Sequence, residues 1–151
     1  MGLKNNYLIT FVIGTRPEAI KMAPLILEFR KSERFKINII LSGQHDEMIR
    51  PIMNFFKLKE DANFKVLGQC NSLEQTTSLI LNELSNYFDK NIPDLVFVQG
   101  DTTTAFVGAL SAFFKKIPVG HVEAGLRTES IFSPFPEAVS YTHLTLPTNT
   151  V

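Results

Sequence analysis

The chain has 151 residues, and its 15 Lys and Arg balance 15 Asp and Glu, so the formal net charge is zero. Without a basic field there is no sequence-wide attraction for a nucleic-acid backbone, and 44% apolar residues with 13 Phe exclude a disordered chain. A lone cysteine, Cys70, excludes a disulfide framework and a Cys-based zinc site. The longest apolar runs are of strand length, well short of the ~20 residues that cross a bilayer.

The first apolar run, Tyr7–Ile13, predicts a strand. It closes in Gly14-Thr15-Arg16-Pro17-Glu18, which is not the small-residue site of a signal peptide. Asn6 stands where a myristoylation signal needs Ser or Thr. These features point to a cytoplasmic protein with a reduced thiol and no membrane partner. Met22, Leu25, Ile26 and Phe29 follow at helical spacing. Thr15 and Glu18 have capping-box spacing, and Pro17 suits a first turn. A second strand is expected at Ile37–Leu41, then a helix marked by Met48, Ile52 and Phe55/Phe56. Phe64–Leu67 reads as a third strand. The third helix carries Leu73, Thr77, Ile80, Leu81, Leu84 and Phe88, opened by Ser72 with Gln75. Leu95–Val98 predicts a fourth strand. Thr102–Phe114 predicts a fourth helix with Phe106, Leu110, Phe113 and Phe114 inward, and Ile117–Val122 a fifth strand. Continuous apolar strands alternating with helices imply an α/β fold, a Rossmann-like doubly wound parallel sheet.

In such sheets ligands bind outside the carboxyl ends of the strands. Four polar, glycine-containing turns fall there: 14–18, 42–45, 99–104 and 121–128. They suit an anionic small molecule. Gly14-Thr15-Arg16 stands where a helix begins, so free N–H groups and the Arg16 fork can meet a phosphate. The same residues also fit a turn glycine, a capping threonine and an Arg paired with Glu18. Asp101 can cap the fourth helix or serve as a base, since a helix start favours the ionised form. Glu123 and Glu137 suit acid/base work, Glu137 with Phe132 and Phe135 as apolar neighbours. Simple surface exposure is the alternative for Glu137. His45 fits a ligand or a helix cap, and His121 a satisfied core position. Neither a dinucleotide fingerprint, a phosphate-binding P-loop nor a metal-ligand spacing occurs, so no metal is expected.

The run Gly14-Thr15-Arg16-Pro17-Glu18-Ala19-Ile20-Lys21-Met22-Ala23-Pro24-Leu25 resembles the opening motif of the non-hydrolysing UDP-N-acetylglucosamine 2-epimerases. Gly43-Gln44-His45, Gly100-Asp101-Thr102-Thr103-Thr104, the run from Gly120 to Thr128 and Ser133-Pro134-Phe135-Pro136-Glu137 follow in family order. The resemblance covers residues 7–137. It implies the N-terminal domain of a glycosyltransferase-B-type two-domain fold, with the C-terminal nucleotide-binding domain absent. It implies interconversion of UDP-GlcNAc and UDP-ManNAc at C2, by loss and re-addition of UDP, for bacterial cell-surface polysaccharide, without a cofactor. Asp101, Glu123 and Glu137 match the family's acidic residues and Arg16 its nucleotide-contacting arginine. Gly14, Lys21 and Arg127 fall in its substrate-binding motifs, and Gln44 and His45 at an allosteric UDP-GlcNAc site of bacterial members. The full-length protein is expected to be a homodimer, and this stretch alone to be inactive. A hydrolysing epimerase that releases ManNAc, or a non-catalytic sugar-nucleotide-binding module, would share these features. Two departures stand out. Gln99 occupies a position where many members have His, and residues 138–151 match nothing in the family and read as a non-native, disordered tail.

Overall fold

The computed structural model describes residues 6–125. Five strands and four helices alternate: β1 (Tyr7–Ile13), α1 (Arg16–Phe29), β2 (Phe35–Leu41), α2 (Asp46–Phe55), β3 (Ala62–Asn63), α3 (Leu73–Lys90), β4 (Leu95–Gln99), α4 (Thr103–Phe114) and β5 (Val119–Val122). The strands form one sheet in the order β3-β2-β1-β4-β5, and every pairing is parallel. The chain winds outward from β1 to β3, then crosses to β4 on the other side of β1. A crevice therefore opens at the carboxyl ends of β1 and β4, the point where the winding reverses.

Strand alternation sends side chains to two helical layers. Ile9, Phe11 and Ile13 of β1, with Ile39 and Leu41 of β2, meet Met22 and Ile26 of α1 and Ile49 and Met53 of α2. Val12, Ile40, Val96 and Val98 face the other way, onto Ile80, Leu84 and Phe88 of α3 and Ala105 and Ala112 of α4. Both sheet faces are thus covered, which is why the strands read as continuous apolar runs. Asn38, on the α3 side of β2, is 6% exposed and donates to the Tyr87 hydroxyl at 3.2 Å.

Two sequence expectations are corrected, for the third strand and for the face of α4, and the structure settles which face of α2 is buried. Phe64–Leu67 is not a strand, because Lys65 takes a left-handed backbone with φ 52° and breaks the ladder after β3. In α2 the buried residues are Ile49 and Met53, while Met48 and Phe55 are exposed. In α4 the small residues Ala105, Gly108 and Ala112 face the sheet, and Phe113 and Phe114 point outward. A Cβ on Gly108 would stand 2.9 Å from Val98 Cγ1, so the helix lies too close to the sheet to hold large side chains between them.

Candidate active site at the carboxyl edge of the sheet

Glu18 organises the crevice. It falls four residues before Met22, on the stripe of α1 that faces the core, and is 1% exposed. Its Oε2 accepts the Gly14 N–H at 2.5 Å and the Thr15 N–H at 3.1 Å, and its Oε1 accepts the Thr102 hydroxyl. Thr102 in turn caps α4, its oxygen accepting the Ala105 N–H at 3.0 Å. One carboxyl thus ties the turn after β1 to the start of α4. Burial pushes its pKa up, against the donors Thr102, Gly14 and Thr15, which pull it down. From the sequence Glu18 reads as part of a capping box or as a partner of Arg16; the 18, 22, 26 spacing is the signal that it points inward.

A second chain of hydroxyls floors the crevice. Thr104 donates to Gln44 Oε1 at 3.0 Å, so the Ser42 hydroxyl, 2.9 Å from Thr104 Oγ1, must supply the proton of that contact. Gly14 lies over this pair. A Cβ there would fall 2.0 Å from Thr104 Oγ1 and 2.7 Å from Ser42 Oγ. Only glycine lets the turn after β1 approach this closely.

The third cluster centres on Glu123, the residue after β5, whose backbone is left-handed at φ 55°. Its Oε2 accepts the Gln99 Nε2–H at 2.5 Å and pairs with the Lys21 ammonium from α1. The carboxylate side chain is 41% exposed, whereas Gln99 is 4% exposed. His121 lies two residues earlier, in β5, and donates its Nε2–H to the Gly100 carbonyl at 2.6 Å, a structural tie between β5 and the turn after β4.

Arg16 is the first residue of α1 and is exposed at the crevice mouth. It does not pair with Glu18, whose oxygens are taken by Gly14, Thr15 and Thr102. Asp101 is half-buried in the turn before α4 and is not its cap; Thr102 is. Gln44 is drawn into the crevice floor, while His45 occupies the cap position of α2 without a side-chain capping bond and is exposed. The structure therefore brings Gly14, Arg16, Lys21, Asp101 and Glu123 to one sheet edge, with Gln44 beneath. Arg127 and Glu137 lie outside the described residues. Gln99, Ser42, Thr102 and Thr104 fall in the strand-end turns that the sequence singles out, but their pairings with Glu123, Glu18 and Gln44 were not legible there. Among the described residues, no three His, Cys, Asp or Glu side chains gather in a way that could hold a metal ion.

Such an arrangement, a doubly wound parallel sheet with polar turns gathered at the carboxyl edge of its strands, defines a Rossmann-like α/β domain. The family model described as UDP-N-acetylglucosamine 2-epimerase matches residues 27–142, and the chain belongs to that family. It is 45% identical over 126 residues to the UDP-N-acetylglucosamine 2-epimerase of Neisseria meningitidis, covering 83% of this chain and 34% of the relative. The Bacillus subtilis enzyme of the same name is 45% identical over 129 residues, 85% of this chain and 34% of the relative. The chain thus spans about a third of the length of these relatives. Among solved structures, the Neisseria meningitidis epimerase bound to UDP-GlcNAc superposes with a TM-score of 0.85 at 42% identity, over 89% of this chain and 36% of that one. The Methanocaldococcus jannaschii epimerase in complex with UDP-GlcNAc and UDP gives 0.81 at 33% identity, over 89% and 37%. The fold is that of the glycosyltransferase-B-type epimerases.

Proposed function

We propose that this chain contributes the N-terminal domain, residues 1–137, of an enzyme that interconverts UDP-GlcNAc and UDP-ManNAc without releasing the free sugar. In this reading it acts in the cytoplasm, as a homodimer at full length, to supply cell-surface polysaccharide. The observation that carries the reading is the carboxyl edge of the sheet, which the turn after β1 with Gly14 and Arg16, the turn after β4 with Asp101, and Glu123 just after β5 all share. Relatives whose structures hold UDP-GlcNAc or UDP share this half of the fold.

The chemistry follows from the sugar. Inverting C2 requires a proton to leave one face and another to arrive on the opposite face. The C2–H pair becomes the C1=C2 bond as the C1–O bond breaks and its pair departs on the diphosphate of UDP. Re-addition of UDP to C1 with protonation of C2 from the other face restores the bond order, so the balance is redox-neutral. Two carboxyl groups on opposite sides of the ring can exchange these protons, and Asp101, Glu123 and Glu137 are the residues assigned to this work. Arg16 and the first N–H groups of α1 stabilise the negative charge that develops on the departing diphosphate.

The test is to follow UDP-GlcNAc by NMR with the full-length protein that carries this domain. UDP-ManNAc is the expected product, and free ManNAc plus UDP would identify a hydrolysing enzyme instead. Glu123→Gln should lower turnover by about 10²–10⁴-fold while leaving the fold intact. Arg16→Ala should weaken UDP binding more than Arg16→Lys, because Lys keeps the charge and loses the fork; equal affinities would rule out a bidentate contact. The chain of 151 residues alone should show no turnover, since one domain supplies one wall of a cleft from which water must be excluded.

A further inference from the structure

Gln99 is a buried amide with a defined task. It is the last residue of β4 and pairs in register with Val122, the last residue of β5. Glu123 is therefore the first residue beyond the ladder, and its left-handed backbone turns the chain while its carboxylate returns to the sheet edge. There Oε2 meets the Gln99 amide at 2.5 Å and the Lys21 ammonium. A carboxylate only accepts, so the amide must present its NH2 and not its carbonyl. A buried carboxamide that lost this acceptor would leave a donor unsatisfied, so the contact is held from both sides.

The two donors differ in kind. Lys21 lies on a flexible stem with a 44% exposed side chain. Gln99 is fixed by the central sheet, and its neutral donor directs the carboxylate without adding charge. Both use Oε2, and among the described residues nothing donates to Oε1.

We propose that Gln99 is a positioning residue for proton transfer, fixing Glu123 through Oε2 so that Oε1 is the oxygen that exchanges a proton with C2 of the sugar. This rests on the epimerase reading above. In the proposed step, the C2 proton passes to Oε1, its electron pair forms the C1=C2 bond, and the C1–O pair leaves with UDP. Gln99 touches neither substrate nor reacting atom and acts through Glu123.

Two measurements test it. The first does not need activity. In the 151-residue chain, the side-chain amide signals of Gln99, assigned by their loss in Gln99→Leu, should lie away from those of the surface residue Gln75. They should move toward them in Glu123→Ala, which leaves no acceptor. Gln99 amide signals that do not respond to Glu123→Ala overturn the contact. The second uses the full-length enzyme. Gln99→Leu should lower kcat by about tenfold to a hundredfold with KM for UDP-GlcNAc within about twofold, the loss expected when a reacting group is misplaced. Gln99→His, which keeps a donor, should recover most of the rate. In a Glu123→Gln background, Gln99→Leu should cost nothing further. Wild-type kcat in Gln99→Leu, or additive losses in the double variant, overturn the proposal. So does failure of His to restore rate when thermal stability is restored. If the unsubstituted enzyme does not epimerise, the functional reading fails and the catalytic role with it. The amide signals then still report separately whether the contact exists.

Discussion

At the scale of single residues, the site is held by groups whose surroundings do more than their identities suggest. Glu18 is a carboxyl whose burial lifts its pKa above the ordinary value of 4.5. Between that value and the folded one, the native state keeps a proton that the unfolded chain has released. The stabilisation is therefore complete below the unfolded pKa and is lost as pH rises through the folded pKa. Glu18→Gln cannot titrate, so the melting temperature of the wild type relative to this variant should fall from acid toward neutral pH and then level off. A difference that does not change with pH would mean that the carboxyl titrates alike in both states. Gly14→Ala is a steric test of the same turn. The new methyl would stand 2.0 Å from Thr104 Oγ1, so urea unfolding should show a loss of about 1–3 kcal/mol or more, the usual cost of overpacking. Near-native stability would mean that the turn after β1 yields easily. The polar turns were legible in the sequence because strand ends in a parallel sheet share an edge. Their pairings were not: nothing in the spacing of residues 18 and 102, or of 99 and 123, shows that the fold joins them. That knowledge requires strand order, which a list of strands does not contain.

At the scale of elements, periodicity located the helices and in α4 chose the wrong face. The sequence of α4, TTAFVGALSAFF, is apolar around most of its circumference, so its period favours no side. Shape decides instead: Ala105, Gly108 and Ala112 let the helix approach β1 and β4, and the bulky Phe113 and Phe114 are left outside at 63% and 62% exposure. Phe113→Ser and Phe114→Ser should each change stability by no more than about 0.5 kcal/mol, as surface substitutions do. Gly108→Val should cost about 1–3 kcal/mol by forcing the helix off Val98. Chemical denaturation of the three variants checks both halves, and the reverse order would restore the aromatic face as the buried one. In α2 the alternative stripes 48, 52, 55 and 49, 53, 56 are both apolar and differ by one position, a rotation that sequence alone leaves open. β3 lies at Ala62–Asn63, before the expected Phe64–Leu67, where Lys65 leaves the extended region, and a lysine announces no such turn in the way a glycine would.

At the scale of the whole molecule, the alternating elements, the parallel sheet and the two covered faces were all present in the apolar pattern, and the family resemblance agreed with them. Among the described residues no helix is long and apolar enough to cross a membrane. The sheet order also sets how this chain must assemble. β1 stands at the centre, bonded on one side to β2, which follows it closely, and on the other to β4. Leu8 and Asp94, which bond across that second seam, are 86 residues apart. Each doubling of a closed loop adds about 0.6 kcal/mol of entropic cost, and non-local pairing is the slow part of folding. The β1–α1–β2 unit should therefore form in the transition state, with the β1–β4 seam zipped afterwards. Ile39→Val, on the face of β2 that packs against α1, should then slow refolding, whereas Val96→Ala should act mainly by speeding unfolding. Stopped-flow kinetics with the opposite pattern would place the nucleus on the other side. Until the late seam closes, β1 presents an unpaired apolar edge. Because the crevice lies on that same seam, its two walls would be the last parts of the sheet to meet.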